Sequence, residues 1–398
     1  MITKSPGDCL LRIARTSNHH NVLAVYIHGA SVHDGAAQRG HQRAFATKRV
    51  IKPSPQDKIR DKQEFEKAKS QPILAIESVN PPRSTLPAPL DLPTRGREGT
   101  FTYLFRIGRA YGTFYKEGVK AVWANGKAGK VLARKIQERH GESGYRDFAA
   151  LKYGFFSARR ASILKHAVVK GTISRGEYQM LERQAYDVSK LPLFGLLVAL
   201  LGEWLPLVVP FIPNAVPVTC RIPKQIQGMR EKAEERRRHS FRQAVSEPSD
   251  EQLSLKQIES EASGDTMPLM DLQYAQSVLA RLRPNQLHHV SCVLNTHGRL
   301  WDRLQILPPA PIIRSRIARR LNYFTRDDYL LLQHDGVKKL SPPEVEIACE
   351  QRGLDILGRK TEVLRATLTV WLERQKRDKG RGDAVMGMLF RRPNAWKI

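Results

Sequence analysis

Apolar residues recur at helical spacing through most of the chain after residue 100. Between 101 and 119, apolar and small side chains are three and four residues apart with basic residues among them, which predicts an amphipathic helix. The same spacing returns at 272–282 and 312–321, and 341–372 predicts two short helices joined by a glycine-bounded turn. The pattern therefore favours an all-α fold.

The most apolar block is 191–218, whose one charged side chain is Glu203. As a helix, residues 191–211 would be about 31 Å long, which matches the hydrocarbon core of a bilayer. We therefore expect one transmembrane helix at 191–218, kinked by its prolines. A buried core helix with a proline-rich exit stays open as an alternative, because 193–205 alone is too short to cross.

A helix is expected to enter this block from a capping box at Ser174 and Glu177, and to be interrupted near Pro192. Glu203 is a candidate for an ion or proton path, because a carboxylate at membrane depth is costly and nearby prolines leave carbonyls without donors. The alternative is a carboxyl group that is paired or protonated within a helix bundle.

The N-terminal segment 1–52 carries eight basic residues and two acidic ones, a composition typical of a mitochondrial transit peptide. We expect cleavage near Phe45, and a basic tail without a targeting role is the alternative. The segment 53–99 contains a proline-rich stretch and is expected to be an extended linker rather than packed structure.

Basic residues are distributed unequally around the apolar block. Seven Lys or Arg lie in 221–240 and three in 171–190. The more basic flank of a membrane span is retained on the side of synthesis, or, for an imported mitochondrial protein, in the matrix. The C-terminal half is therefore expected in the matrix and the protein in the inner membrane.

The chain has 66 Lys plus Arg against 39 Asp plus Glu, a formal net charge of +27. This excess favours an anionic partner such as nucleic acid, a ribosome or an acidic membrane surface. A solvated basic helix face is the alternative for each residue singly. The candidate contacts with RNA phosphate are Arg314, Arg316, Arg319, Arg320, Lys338 and Lys339.

Sequence motifs that indicate catalysis or a bound cofactor are missing from the chain. The four cysteines form no CxxC pair and no zinc-finger spacing, so we expect no metal site and no cofactor. His288 and His289 are interpreted as packing or surface residues. Without a phosphate-binding glycine loop, a GxSxG elbow or an HExxH motif, the chain is not expected to be an enzyme or to have a small-molecule substrate.

Two blocks of the sequence resemble the LETM (leucine zipper, EF-hand-containing transmembrane) family. The C-terminal block carries Asp327-Asp328, Gly336-Val337, Leu340-Ser341, Glu344, Ala348-Cys349, Arg352-Gly353-Leu354, Leu357-Gly358, Leu364, Leu368 and Trp371-Leu372. The membrane block carries Glu177, Leu181, Asp187, Leu191-Pro192, Phe194, Glu203, Leu205-Pro206, Phe211-Ile212-Pro213-Asn214 and Pro217. The family's Leu-Pro-Ser is replaced by Val216-Pro217-Val218, and the sequence has no EF-hand loop and no extended coiled coil.

The resemblance implies an amphipathic helical region at 100–190 before the membrane and a ribosome-binding domain at 219–374, 14-3-3-like in this family. A flexible loop is expected at 243–266 and a basic tail at 375–398. The implied partners are the mitochondrial ribosome, through its large subunit or rRNA, and inner-membrane lipid, with homo-oligomerisation left open.

The resemblance also implies a role in membrane-protein biogenesis and K⁺/H⁺ homeostasis. Two alternatives stay open. One is a cation/proton antiporter component that uses Glu203. The other is a soluble helical scaffold that binds nucleic acid, since 341–372 also resembles a SAP-type DNA-binding motif.

Overall fold

The computed structural model describes residues 78–97, 99–140, 158–202, 212–253, 272–333, 336–377 and 382–396. Within these ranges all regular elements are helical, which confirms the all-α class. The transit peptide expected at 1–52 lies outside the described residues, as do 53–77 and Glu203.

Thirteen α-helices are numbered here in chain order within the described ranges. They are α1 (Thr100–His140), α2 (Ala158–Val169), α3 (Arg175–Leu201), α4 (Pro223–Arg242), α5 (Asp250–Leu253), α6 (Leu272–Arg281), α7 (Pro284–Val293), α8 (Arg299–Leu304), α9 (Ala310–Gln333), α10 (Gly336–Lys339), α11 (Pro342–Gln351), α12 (Thr361–Arg377) and α13 (Gly382–Phe390). Short 3₁₀ turns lie at Arg83–Thr85, Pro213–Ala215, Val218–Cys220 and Pro393–Ala395.

The largest apolar core lies in the C-terminal half, where α6, α7, α9, α11, α12 and α13 pack around Phe324 and Trp371. A second core joins α1, α2 and the first half of α3 to the end of α9, with Tyr178 stacked on Tyr323. A third, smaller core lies where α1 and α3 meet the turns at 213–220 and includes Phe114, Phe194 and Val216.

Helix α3 begins at a capping box and is continuous through Pro192. The predicted capping box is confirmed, since Ser174 Oγ accepts from the Glu177 N–H and the Glu177 carboxylate accepts from the Ser174 N–H. The expected interruption at Pro192 is wrong, because the helix runs through it to Leu201. Proline removes one helical hydrogen bond there, and packing of Phe194 beyond it keeps the helix intact.

The described part of the expected linker is packed, which corrects the prediction for 53–99. Residues 78–97 are largely extended, yet Val79, Thr85 and Ala88 are buried. The carbonyl oxygens of Ser78 and Val79 accept from the Gly176 N–H and from Arg175, so the backbone serves as a hydrogen-bond acceptor for α3.

The structure adds detail to one C-terminal expectation and corrects another. Over 243–253, the described part of the loop expected at 243–266, the chain contains the short helix α5, and Gln252 donates to the carbonyl oxygen of Arg281. The basic tail expected at 375–398 is structured, because α12 continues to Arg377 and α13 places an apolar run in the main core. Trp396 then packs 5.7 Å from Trp371, measured between ring centroids.

Candidate functional site

Two helix ends expose large apolar side chains at the same end of the molecule. At the start of α1, Phe101 is 84% exposed and Phe105 is 66% exposed. At the end of α3, Leu200 is 72% exposed, and Leu193 and Leu196 are also exposed. Among the helices of the described ranges, α3 is the one with the length and apolar composition needed to cross a membrane.

These two helix ends pack against each other through the third core. Tyr111 and Phe114 of α1 join Phe194, Leu197 and Leu201 of α3 in that cluster. Residues 100–112 and 188–202 are therefore called the apolar tip. Apolar surface this extensive and this exposed is typical of a lipid or protein contact.

The chain leaves the apolar tip on the same side from which it enters. The backbone N–H of Val218 donates to Asp187 at 2.7 Å, and Thr219 Oγ1 donates to the carbonyl oxygen of Gly118. A Cβ at Gly118 would lie 2.8 Å from Cys220 Sγ, so glycine permits this close approach. Both ends of 188–217 thus lie together, and the expected segment 191–218 is not one continuous helix in the described residues.

A buried network of charged side chains joins the base of α3 to the C-terminal helices. Asp327 of α9 accepts from Arg175 Nε at 2.7 Å and from Arg352 Nη2 at 2.8 Å. Asp328 pairs with Arg352 and accepts from Trp371 Nε1 at 3.0 Å. All five side chains are essentially inaccessible to solvent.

The network continues to Glu344 at the start of α11. Arg183 of α3 binds both Glu344 carboxylate oxygens, at 2.7 and 2.8 Å, and Arg175 lies 3.6 Å from the same carboxylate. The three arginines Arg175, Arg183 and Arg352 face three carboxylates, so the formal charges cancel. Buried charges are tolerated when they are paired in this way.

Charge governs the ionisation of Asp327. Burial alone would raise its pKa, but the guanidinium groups of Arg175 and Arg352 outweigh burial and lower it to about 2. For Asp328, burial raises the pKa against the opposing effect of Arg352 and Trp371. The sequence signal was the Asp327-Asp328 pair, but nothing local indicates partners up to 152 residues away.

The predicted basic residues fall into two groups. Arg314, Arg316, Arg319 and Arg320 lie within the first half of α9. Arg314 donates to the carbonyl oxygen of Ala280 and Arg316 to that of Thr296, contacts that do not neutralise a guanidinium charge. Burial and then the neighbouring Arg316 lower the pKa of Arg319, which indicates that the charges are clustered.

Lys338 and Lys339 are exposed on α10, which follows the far end of α9. Arg320 lies about 20 Å along the helix axis from Gln333, the last residue of α9. The structure therefore does not bring the two lysines into the arginine cluster. Arg230 of α4 differs from both groups, since it forms ion pairs with Glu346 and Glu350.

Sequence patterns did not single out one further cluster. Donor atoms of His288, Cys292 and His297 lie within 4.8 Å of one another. The signal that could have found it is the pair His288 and Cys292, four residues apart on one helix face. His289 instead packs between Phe241 and Phe390, as expected for a packing residue.

A family model described as "LETM1-like, RBD" matches residues 173–386, slightly more than half of the chain. The match begins just before α3 and ends within α13, so it encloses the buried charge network and α9. It extends past the boundary at 374 expected from the sequence. No curated protein and no solved structure matches the chain.

Proposed function

This chain belongs to the LETM1-like family defined by its ribosome-binding domain, and from that premise we propose that it is a mitochondrial inner-membrane protein that binds ribosomes on the matrix side. The family is associated with the mitochondrial inner membrane and is not a known enzyme family. The proposed role is therefore binding and anchoring rather than catalysis. The single observation that carries the proposal is the family match across 173–386.

The apolar tip is the proposed membrane anchor. Phe101, Phe105 and Leu200 would each leave more than half of an apolar side chain in water. Burying such side chains in hydrocarbon gains about 1.5–3 kcal/mol each. Membrane lipid supplies that apolar environment without any protein partner, and it is the occupant that fits an inner-membrane protein.

The arginine cluster of α9 is the proposed ribosome contact. Ribosomal RNA presents a dense array of phosphates, and guanidinium groups bind phosphate bidentately. Arg314 and Arg316 bind carbonyl oxygens rather than carboxylates, so their positive charge is retained for an anionic surface. Lys338 and Lys339 are proposed as a second, separate contact.

Support for membrane-protein biogenesis and for K⁺/H⁺ homeostasis would follow from holding ribosomes at the membrane. A direct role of Glu203 in cation/proton exchange is the second candidate. It rests on a carboxylate expected at membrane depth. If Glu203→Gln leaves cation flux in proteoliposomes unchanged, the exchange role of Glu203 is excluded while the anchoring role is untouched.

Carbonate extraction and salt-graded ribosome sedimentation of the full chain test the main proposal. We expect the protein to resist carbonate and to co-sediment with the large ribosomal subunit, with binding that weakens as salt rises. Release by carbonate would refute the membrane anchor. Failure to co-sediment at low salt would refute ribosome binding.

Three variants that each remove two positive charges sharpen the sedimentation test. They are Arg316→Gln with Arg320→Gln, Lys338→Gln with Lys339→Gln, and the control Arg359→Gln with Lys360→Gln. Losing two phosphate contacts lowers the slope of log affinity against log salt by about 1.4, taking about 0.7 per contact for single strands. We expect that change in the first two variants, and the same slope in all three would contradict the assigned contacts.

A further inference from the structure

His288, Cys292 and His297 form a compact group of metal-binding atoms in a domain assigned no metal. The Cys292 Sγ lies 3.7 Å from His288 Nε2, and the three donor atoms all lie within 4.8 Å of one another. Cys292 and His297 are buried, and His288 is partly exposed. Nitrogen and sulfur donors on buried side chains are the set that zinc prefers in structural sites.

The backbone brings these residues together through the end of α7. His288 and Cys292 lie four residues apart and share one helix face. After the helix ends at Val293, Asn295 takes a left-handed conformation with φ of 51°. The Thr296 N–H then donates to the carbonyl oxygen of Ser291, so the chain folds back over the last helical turn.

Asp302 gives His297 the partner that a metal-binding histidine usually has. His297 Nε2 lies 2.9 Å from Asp302 Oδ1, which leaves Nδ1 as the other ring nitrogen. A histidine that binds a metal through one nitrogen commonly donates from the other to a carboxylate. Arg236 pairs with the second oxygen of Asp302 and so fixes the orientation of the carboxylate.

The competing explanation is a histidine satisfied by hydrogen bonds alone. His297 Nδ1 lies 2.6 Å from Ser291 Oγ, and together with Asp302 this accounts for both ring nitrogens. Ser291 Oγ, however, also lies 2.7 Å from Thr296 Oγ1, so it keeps a partner when the imidazole turns to a metal. Hydrogen bonding to His297 also gives no reason for His288 and Cys292 to lie beside it.

We propose that His288, Cys292 and His297 bind a zinc-class cation, with Asp302 orienting His297 and a water molecule completing four ligands. In a tetrahedral zinc site, donor atoms lie about 3.3–3.6 Å apart, given Zn–N of about 2.0–2.1 Å and Zn–S of about 2.3 Å. The His288–Cys292 distance already approaches this spacing. The other donor atoms lie within 4.8 Å of one another, and metal binding would draw them closer.

Binding exchanges a proton for the metal. Cys292 must lose its thiol proton to solvent to become a ligand, and the metal takes that position. The bound cation would tie the end of α7 to the loop before α8.

Cobalt(II) is the probe, because a cobalt–thiolate bond gives a charge-transfer absorption in the near ultraviolet. The full-length chain, purified in detergent and treated with a chelator, is titrated with Co²⁺ and then with Zn²⁺. We expect one equivalent of Co²⁺ to produce the thiolate band and Zn²⁺ to abolish it. Zn²⁺ should also raise the thermal midpoint.

Cys292→Ser should lose the charge-transfer band and the zinc-dependent stabilisation. The matched control is Cys349→Ser, another buried thiol, whose Sγ donates to the carbonyl oxygen of Leu364 and which should keep both signals. His288→Gln, at a less buried position, serves if Cys292→Ser does not fold and should weaken Co²⁺ binding at least tenfold. The proposal would be overturned if Co²⁺ binding does not saturate or if the thiolate band survives in Cys292→Ser. It would also be overturned if His288→Gln leaves the affinity for Co²⁺ unchanged.

Discussion

Replacing Asp327 by Asn tests whether the buried charge network holds α3 to the C-terminal helices. The carboxylate accepts from Arg175 at 2.7 Å, from Gln179 at 2.7 Å and from Arg352 at 2.8 Å. Asparagine keeps the shape but removes the charge, and its amide group presents donors to neighbours that are also donors. The variant therefore leaves an excess of one buried positive charge.

Two physical arguments give the size of the stability loss expected for Asp327→Asn. The arginine partners of Asp327 outweigh burial and lower its pKa from 3.8 to about 2. That shift corresponds to about 2 kcal/mol of stability at neutral pH. Removing one member of a buried ion pair costs about 3–5 kcal/mol, since the remaining charge stays desolvated. We expect Asp327→Asn to lose about 3–5 kcal/mol, a large part of the roughly 5–15 kcal/mol that stabilises a domain.

Denaturation of the full chain by guanidinium in detergent, followed by far-ultraviolet circular dichroism, measures this loss. Asp355→Asn is the matched control, because Asp355 pairs with Arg238 and Arg359, whose side chains are about half exposed. Exposed pairs contribute about 0–1 kcal/mol. Equal destabilisation by the two substitutions would refute the reasoning.

The stability that Asp327 contributes should fall as the pH is lowered. The folded-state pKa of Asp327 is depressed, so its stabilising contribution is complete above the ordinary value of 3.8 and is lost as pH falls through about 2. The difference in unfolding free energy between the wild type and Asp327→Asn should therefore narrow between about pH 4 and pH 2. A constant difference across that window would contradict the assignment.

Two further predictions concern the backbone and the membrane. Gly353→Ala should lower the free energy of unfolding by about 1–3 kcal/mol in the same assay. The reason is that φ of Gly353 is 78° and the new Cβ would lie 2.8 Å from Val293 Cγ1. A loss of less than about 0.5 kcal/mol, as is usual for surface substitutions, would refute this prediction. The Val218 N–H donates to Asp187, so the chain enters and leaves the apolar tip on one side of the membrane. Epitopes placed in 53–77 and at the C-terminus should therefore show the same protease sensitivity in mitoplasts. Opposite sensitivities would establish a true crossing at 191–218.

Local chemistry made several elements predictable from the sequence. The capping box at Ser174 and the glycine-bounded turn within 341–372 depend on neighbouring residues, and both are confirmed, the turn by the positive φ of Gly353 and Gly358. Pro192 misled the prediction, because helix propensity gives way to packing on either side of it. The tail at 375–398 was misjudged because its basic residues hid the apolar run of α13, which ends at Phe390.

Contacts between distant segments could not be read from local patterns. Asp327 and Arg175 are 152 residues apart, and no spacing rule connects them. The Pro-rich segment near Val79 was expected to be unpacked because proline lacks a donor, yet Arg175 needs an acceptor, and the Val79 carbonyl provides it. Arg175 and Asp327 are buried polar groups whose partners the fold supplies from far along the chain.

The two proposed binding surfaces share one rigid junction. Helix α3 carries the apolar tip at its end and Arg175 at its start, and α9 carries the arginine cluster in its first half and Asp327 in its second. The buried pair Arg175 and Asp327 therefore connects the helix proposed to enter the membrane with the helix proposed to contact the ribosome. A junction of desolvated, charge-balanced side chains resists sliding, because any shift would leave a buried charge without its partner. It follows that insertion of the apolar tip would fix the orientation of the arginine cluster relative to the membrane surface.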